Sequence, residues 1–145
     1  MSRPEATDRA PIPGFDAEKL LSLARQARRH AYAPYSGFRV GAAVLAGRRI
    51  FRGANVENAA YPVGVCAERV AVANAVTAGV REIWAVAIAS SSPLGTPPCG
   101  MCRQFLFEFN PEMIVVSEGT SGDTRTWRLE ELLPEGFEPK HLTST

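Results

Sequence analysis

Three cysteines and one glutamate carry the chemistry this sequence offers. All three cysteines of the 145-residue chain lie in two short stretches, Cys66-Ala67-Glu68 and Pro98-Cys99-Gly100-Met101-Cys102. Thiolates are good zinc ligands, and Cys-x-x-Cys spacing lets two of them share one metal. With Cys66 as a third ligand, a tetrahedral ion keeps one position open for water, and that openness separates a catalytic zinc from a structural one. Glu68, two residues after Cys66, adds a carboxylate able to carry protons to and from such a water.

Other readings use the same residues. A closed structural site needs a fourth ligand. Beyond the cysteines the chain offers His30 and His141, neither near a cysteine in sequence, and Cys-x-Glu is not common structural spacing. A redox pair at Cys99 and Cys102 fits the Cys-Gly-Met-Cys spacing but leaves Cys66 and Glu68 without a part. Glu68 alone would read as a favourable first-turn acid on a helix; the cysteine two residues before it favours the metal reading.

The elements that must position these groups follow from pattern. Asp16 can cap a helix running to about Ala33, with Leu20, Leu21, Leu23, Ala24, Ala27 and Ala31 as its apolar face. Phe38 to Leu45 and Ile50 to Ala54 read as strands joined by a turn at Ala46-Gly47-Arg48. A polar loop from Gly53 to Gly64 precedes a helix from about Cys66 to Ala78, which Gly79 stops. The apolar run Ile83 to Ala89 suits a buried central strand. A further helix is expected from near Cys99 to Asn110-Pro111, then strands at Met113 to Val116 and Thr124 to Leu129, and a tail with Leu132-Leu133-Pro134 and Phe137. Helices interleaved with strands predict an α/β fold, one sheet with helices on its faces.

Both cysteine stretches fall at expected helix starts, and the geometry requires it. In mid-helix, side chains two apart point roughly 200° apart, so Cys66 and Glu68 converge only around the first turn. A helix N-terminus also carries free N–H groups and partial positive charge, which lower a thiol's pKa and favour metal capture. Three thiolates on Zn²⁺ leave a net charge of −1, which opposes activation of a bound water. Arg69 and Arg103, each next to a site residue, are the candidates to offset that charge.

Composition bounds the rest. The length suits one domain, with residues 1–15 as a proline-broken, disordered tail and residues 16–140 as the domain. The formal charge is +1 and the arginine pairs are isolated, so no basic groove for nucleic acid is expected. An odd cysteine count excludes a full disulfide framework and suits a reducing compartment. With no signal peptide and no membrane-spanning apolar run in the sequence, a cytoplasmic protein is expected.

The sequence resembles the small homotetrameric cytidine deaminases. The likeness rests on Ala31-Tyr32-Ala33-Pro34-Tyr35-Ser36, Val40-Gly41-Ala42-Ala43, Asn55-Val56-Glu57-Asn58-Ala59-Ala60-Tyr61, Cys66-Ala67-Glu68-Arg69, Pro98-Cys99-Gly100-Met101-Cys102-Arg103-Gln104 and Leu132-Leu133-Pro134. It departs in a shorter hairpin turn at Ala46-Gly47 and a longer N-terminal tail. The resemblance implies a three-layer αβα sandwich around one mixed sheet, and one Zn²⁺ per chain on Cys66, Cys99 and Cys102. It implies hydrolytic deamination of cytidine and 2′-deoxycytidine to uridine and 2′-deoxyuridine in pyrimidine salvage, with Glu68 as proton carrier. Asn55 and Glu57 would bind the ribose, Phe38 would pack on the nucleoside, and the Ala67 N–H would meet the pyrimidine carbonyl. Backbone at Ala60 and Tyr61 would reach a neighbouring subunit's site, and Phe137 would cross the interface to stack on the base there. A deaminase of aminonucleoside antibiotics fits the Asn55 to Tyr61 stretch less well, and a nucleic-acid editor fits the near-zero charge less well.

Overall fold

The computed structural model describes residues 12–143. Its first helix, α1 (Ala17–Arg28), opens on Asp16, whose carboxylate accepts from the Lys19 N–H at 3.1 Å. It ends at Arg28 rather than continuing to Ala33. The Tyr32 N–H donates to the Asn55 carbonyl (2.9 Å), and the Glu57 N–H donates to the Tyr32 carbonyl (2.8 Å). Pro34 also biases Ala33 away from helix. The chain therefore leaves α1 extended, to meet the loop that will line the site.

Strands β1 (Val40–Ala46) and β2 (Arg49–Ala54) form a hairpin, with Ala46 paired to Arg49 across Gly47-Arg48. Gly47 sits at φ +59°, as the first residue of a two-residue hairpin turn favours. Phe38 lies outside β1, where the sequence had placed it inside. Helix α2 (Ala67–Thr77) follows, with Cys66 at its N-cap and Gly79 just beyond its end at φ +89°. Then come β3 (Ile83–Ser90), α3 (Gly100–Phe107) with Cys99 at its N-cap, β4 (Ile114–Glu118) and β5 (Thr124–Arg128). Helix α3 is shorter than expected. The segment expected as a plain tail holds a short helix, α4 (Leu129–Leu132), and a 3-10 turn, Pro139–Leu142.

The strands form one mixed sheet in the order β2-β1-β3-β4-β5, parallel only between β3 and β4. On one face Ala42, Val44, Val86, Ile88 and Val115 pack with Ala71, Val72 and Ala75 of α2 and Leu106 of α3. On the other face Ala43, Leu45, Ala85, Ala87 and Ala89 receive Leu20, Leu21 and Ala24 of α1. This is the expected αβα sandwich. Burial of Leu20 and Leu21 stabilises the α1 layer by about 1.5–3 kcal/mol each. Alanines dominate the sheet there, so α1 approaches closely. Of the expected tail, residues 1–11 lie outside the described residues, while Ile12 and Phe15 pack against the α1 layer. Among the described residues, no helix is long and apolar enough to cross a membrane.

Candidate functional site

The N-termini of α2 and α3 meet at one end of the sheet and bring the three cysteines together. Cys66 and Cys99 are the N-caps, and neither sulfur makes a capping hydrogen bond to its own helix. The sulfurs therefore stay available to one another and to an ion. Cys66 Sγ lies 3.8 Å from Cys99 Sγ, and all three sulfurs lie within 4.8 Å of one another. Cys102, in the first turn of α3, is fully buried. A hydrogen bond from Cys102, helped by Arg69, holds the Cys66 thiol down to about 5, and the same pairing together with burial pushes Cys102 up. Three convergent sulfurs, one already favouring the thiolate, form a donor set that fits zinc, with room for a fourth ligand.

Glu68 is the second residue of α2 and only 4% exposed. Burial pushes its carboxyl above the usual range, and the nearby Cys66 charge acts in the same direction. A carboxyl so held binds a proton more readily than a solvated one. The two arginines that sequence treats alike have different partners. Arg69 reaches Cys66 Sγ with Nη2 at 3.9 Å, and its Nε is buried without a hydrogen-bond partner among the described residues. Arg103 donates from Nε to the Pro98 carbonyl (2.7 Å) and from Nη1 to the Leu132 carbonyl (2.9 Å). It ties the loop before Cys99 to α4, bonding to carbonyls where Arg69 meets sulfur.

A pocket of about 420 Å³ opens above the cysteines, within the size range of small-molecule sites. Phe38, Asn55, Glu57, Tyr61 and Ala67 line it beside Cys66, Cys99 and Glu68. The structure thus brings these sequence-predicted residues together around one pocket. Sequence reading does not anticipate the internal work of two members. Asn55 Oδ1 accepts from the Val40 N–H and its Nδ2 donates to the Phe38 carbonyl, both at 2.8 Å. These bonds fix the entry to β1 and leave one amide hydrogen and one oxygen lone pair for a ligand. Glu57 accepts from the N–H groups of Tyr35 (3.0 Å) and Ser36 (3.1 Å) and from the Ser36 hydroxyl. Those bonds hold its carboxyl below the usual range.

Sequence reading missed Ile88, Thr96 and Met101, which also line the pocket. They come from the end of β3 and from the loop and first turn around Cys99. Two signals were available: Ile88 stands one residue short of the end of the apolar β3 run, and Met101 lies between the cysteines of the Cys-x-x-Cys stretch. Phe137 does not line the pocket. It exchanges backbone hydrogen bonds with the Gln104 side chain (2.9 Å each way), its ring lies 5.5 Å from that of His141, and it is 54% exposed.

Residues 15–118 match the family described as the cytidine and deoxycytidylate deaminase zinc-binding region. A cytidine deaminase of Sporosarcina psychrophila is 42% identical over 131 residues, covering 89% of this chain and 96% of the relative. One from Halalkalibacterium halodurans is 43% identical over 125 residues, covering 85% and 95%. The crystal structure of cytidine deaminase from Burkholderia pseudomallei superposes with a TM-score of 0.82 at 41% identity, covering 85% of this chain and 100% of that one. A family match that takes in Cys66, Glu68, Cys99 and Cys102, with relatives matched nearly end to end, means that this chain belongs to the zinc-binding cytidine and deoxycytidylate deaminase family.

Proposed function

We propose that this protein hydrolyses cytidine and 2′-deoxycytidine to uridine and 2′-deoxyuridine, releasing ammonia, and serves pyrimidine salvage in the cytoplasm. The observation that carries this reading is the opening of one pocket onto both a three-sulfur cluster and a buried carboxyl. Cys66, Cys99 and Cys102 would hold about one zinc per chain. When bound, the metal supplies a Lewis acid that makes water acidic enough to attack near neutral pH.

The chain's own residues do the rest. Glu68 takes a proton from the attacking water as its oxygen bonds to C4 of the base, and delivers that proton to N3. The second proton of the water passes through Glu68 to the exocyclic nitrogen, the C4–N4 bond breaks, and ammonia leaves as the C4 carbonyl forms. Burial raises the affinity of this carboxyl for a proton, which suits a group that must take a proton up from water before passing it on. The Ala67 N–H orients the pyrimidine carbonyl. Asn55 and Glu57 take the ribose hydroxyls, Phe38 packs on the nucleoside, and Arg69 offsets thiolate charge. The protein works as a homotetramer in which Tyr61 and Phe137 complete a neighbour's site, residues 16–140 acting as one domain.

An ultraviolet assay of the zinc-loaded protein tests the reading. Absorbance characteristic of cytosine should fall with cytidine and deoxycytidine and stay constant with a short cytosine-containing oligonucleotide. No change with either nucleoside overturns it.

A further inference from the structure

On the α1 side of the same sheet end lies a second pocket, of about 360 Å³, lined by Arg28, Arg29, Arg39, Ser91 and Thr120. It shares no residue with the pocket above the cysteines. Four segments supply it: the end of α1, the approach to β1, the segment after β3 and the segment after β4. We propose that this pocket is a binding site for a small phosphate-bearing anion, either free phosphate or the phosphate group of a nucleotide.

The argument begins with charge. Three guanidinium groups border one small space, where like charges repel. Arg25, one turn back on α1, is neutralised by Glu18 and Glu118. Among the described residues, no carboxylate pairs with Arg28, Arg29 or Arg39, and none lines the pocket. The C-terminal end of the α1 dipole favours cations nearby, and it accounts for some of this clustering. It does not use up the donors. Arg28 Nη1 donates to the Ser90 carbonyl (2.8 Å) and Arg39 Nη2 to the Arg29 carbonyl (2.7 Å). Each guanidinium carries five N–H donors, so these bonds fix two of the three side chains and leave most of their donors for a ligand. A fixed guanidinium fork matches phosphate geometry and forms short, charge-assisted bonds.

The Ser91 hydroxyl completes the match. Ser91 Oγ accepts from the Arg39 N–H at 3.0 Å, which leaves its own O–H to donate. Ser91 N–H in turn donates to the Arg39 carbonyl at 2.9 Å. The Ser91 hydroxyl is therefore held on a two-way backbone clamp beside the Arg39 side chain. The Thr120 hydroxyl donates to the Ser92 carbonyl at 3.4 Å, so the donors facing an anion are the guanidinium groups and the Ser91 hydroxyl; such a wall, without an acidic member, suits an anion with several acceptor oxygens. The net charge of +1 conceals this local concentration of positive charge.

Isothermal titration of the zinc-loaded protein, at fixed ionic strength, tests the proposal with inorganic phosphate in one arm and adenosine triphosphate in the other. Saturable binding at about one per chain in either arm is expected, and the stronger arm identifies the source of the phosphate. Arg29→Gln, at an exposed side chain, should weaken binding by about tenfold, the scale of one lost charge-assisted contact. Arg29→Gln with Arg39→Gln should abolish it, and turnover of cytidine without added anion should be unchanged in both variants. No saturable binding in either arm, or equal affinity in the double variant, overturns the proposal. So does binding of a cytosine-free oligonucleotide with neither small anion bound, which would make the patch a strand-tracking surface.

Discussion

Glu68 is the residue whose burial and neighbours most constrain its role. Substitution by Gln keeps shape and burial and removes proton transfer. Glu68→Gln should retain zinc and nucleoside binding while kcat falls by roughly 10² or more, measured by turnover beside metal analysis; near-normal turnover would leave Glu68 as a buried first-turn acid and nothing more. The two arginines separate the readings further. Arg69→Gln removes the side chain that reaches Cys66 Sγ and should weaken zinc retention by about 10–100-fold in a chelator competition. Arg103→Gln breaks a tie between the Pro98 carbonyl and the Leu132 carbonyl; it should lower the melting temperature more than it lowers zinc affinity. Equal zinc loss in both variants would contradict this division. Sequence could name both arginines because each adjoins a site residue. It could not divide them, since the carbonyl of Leu132 is brought to Arg103 only by the packing of α4.

At the scale of elements, local signals were legible where they were local. Asp16 as a cap, Gly79 as a stop, the two cysteine stretches at helix starts and the apolar run of β3 each act over a few residues. The end of α1 is set instead by Tyr32 pairing with Asn55 and Glu57, partners distant in sequence. Helix α4 is started by Arg128, whose N–H donates to Glu131 Oε2 at 3.1 Å. The usual Ser or Thr at such a cap is missing, so the segment reads as the end of a strand. Two glycines show how closely the layers are set. A Cβ on Gly53 would stand 2.5 Å from the Ala71 nitrogen of α2, and one on Gly41 would stand 2.0 Å from the Ala24 carbonyl oxygen of α1. Both contacts are with backbone, so a helix must shift. Gly53→Ala and Gly41→Ala should each destabilise by about 1–3 kcal/mol or more, measured by denaturant melts. Only Gly53→Ala moves the helix that carries Cys66 and Glu68, so it alone should reduce zinc content per folded chain. Equal zinc content in the two variants would mean that the α2 N-terminus is positioned independently of its packing on β2.

At the scale of the whole molecule, Phe137 poses the remaining problem of position. Motif resemblance assigns it to a nucleoside site, and within its own chain it lines a different surface, exposed and anchored through Gln104. An exposed aromatic held by two backbone hydrogen bonds is fixed in place without being buried, which suits a side chain that meets a second subunit. Local sequence pattern does not distinguish a contact within the chain from one across an interface, so the position of Phe137 was not legible from its neighbours in sequence. Aromatic stacking on a base contributes about 1–3 kcal/mol, so Phe137→Ala should raise KM at least about tenfold while zinc stays bound. Mixed oligomers separate the alternatives. Glu68→Gln chains keep Phe137, and Phe137→Ala chains keep Glu68. If each site draws Glu68 from one subunit and Phe137 from another, co-refolding equal amounts rebuilds about a quarter of the sites for random pairing in a symmetric assembly. The mixture should then turn over cytidine at low concentration far faster than its two components measured apart. Activity equal to the sum of the separate components would mean that Phe137 serves its own chain, and the shared-site arrangement would have to be abandoned.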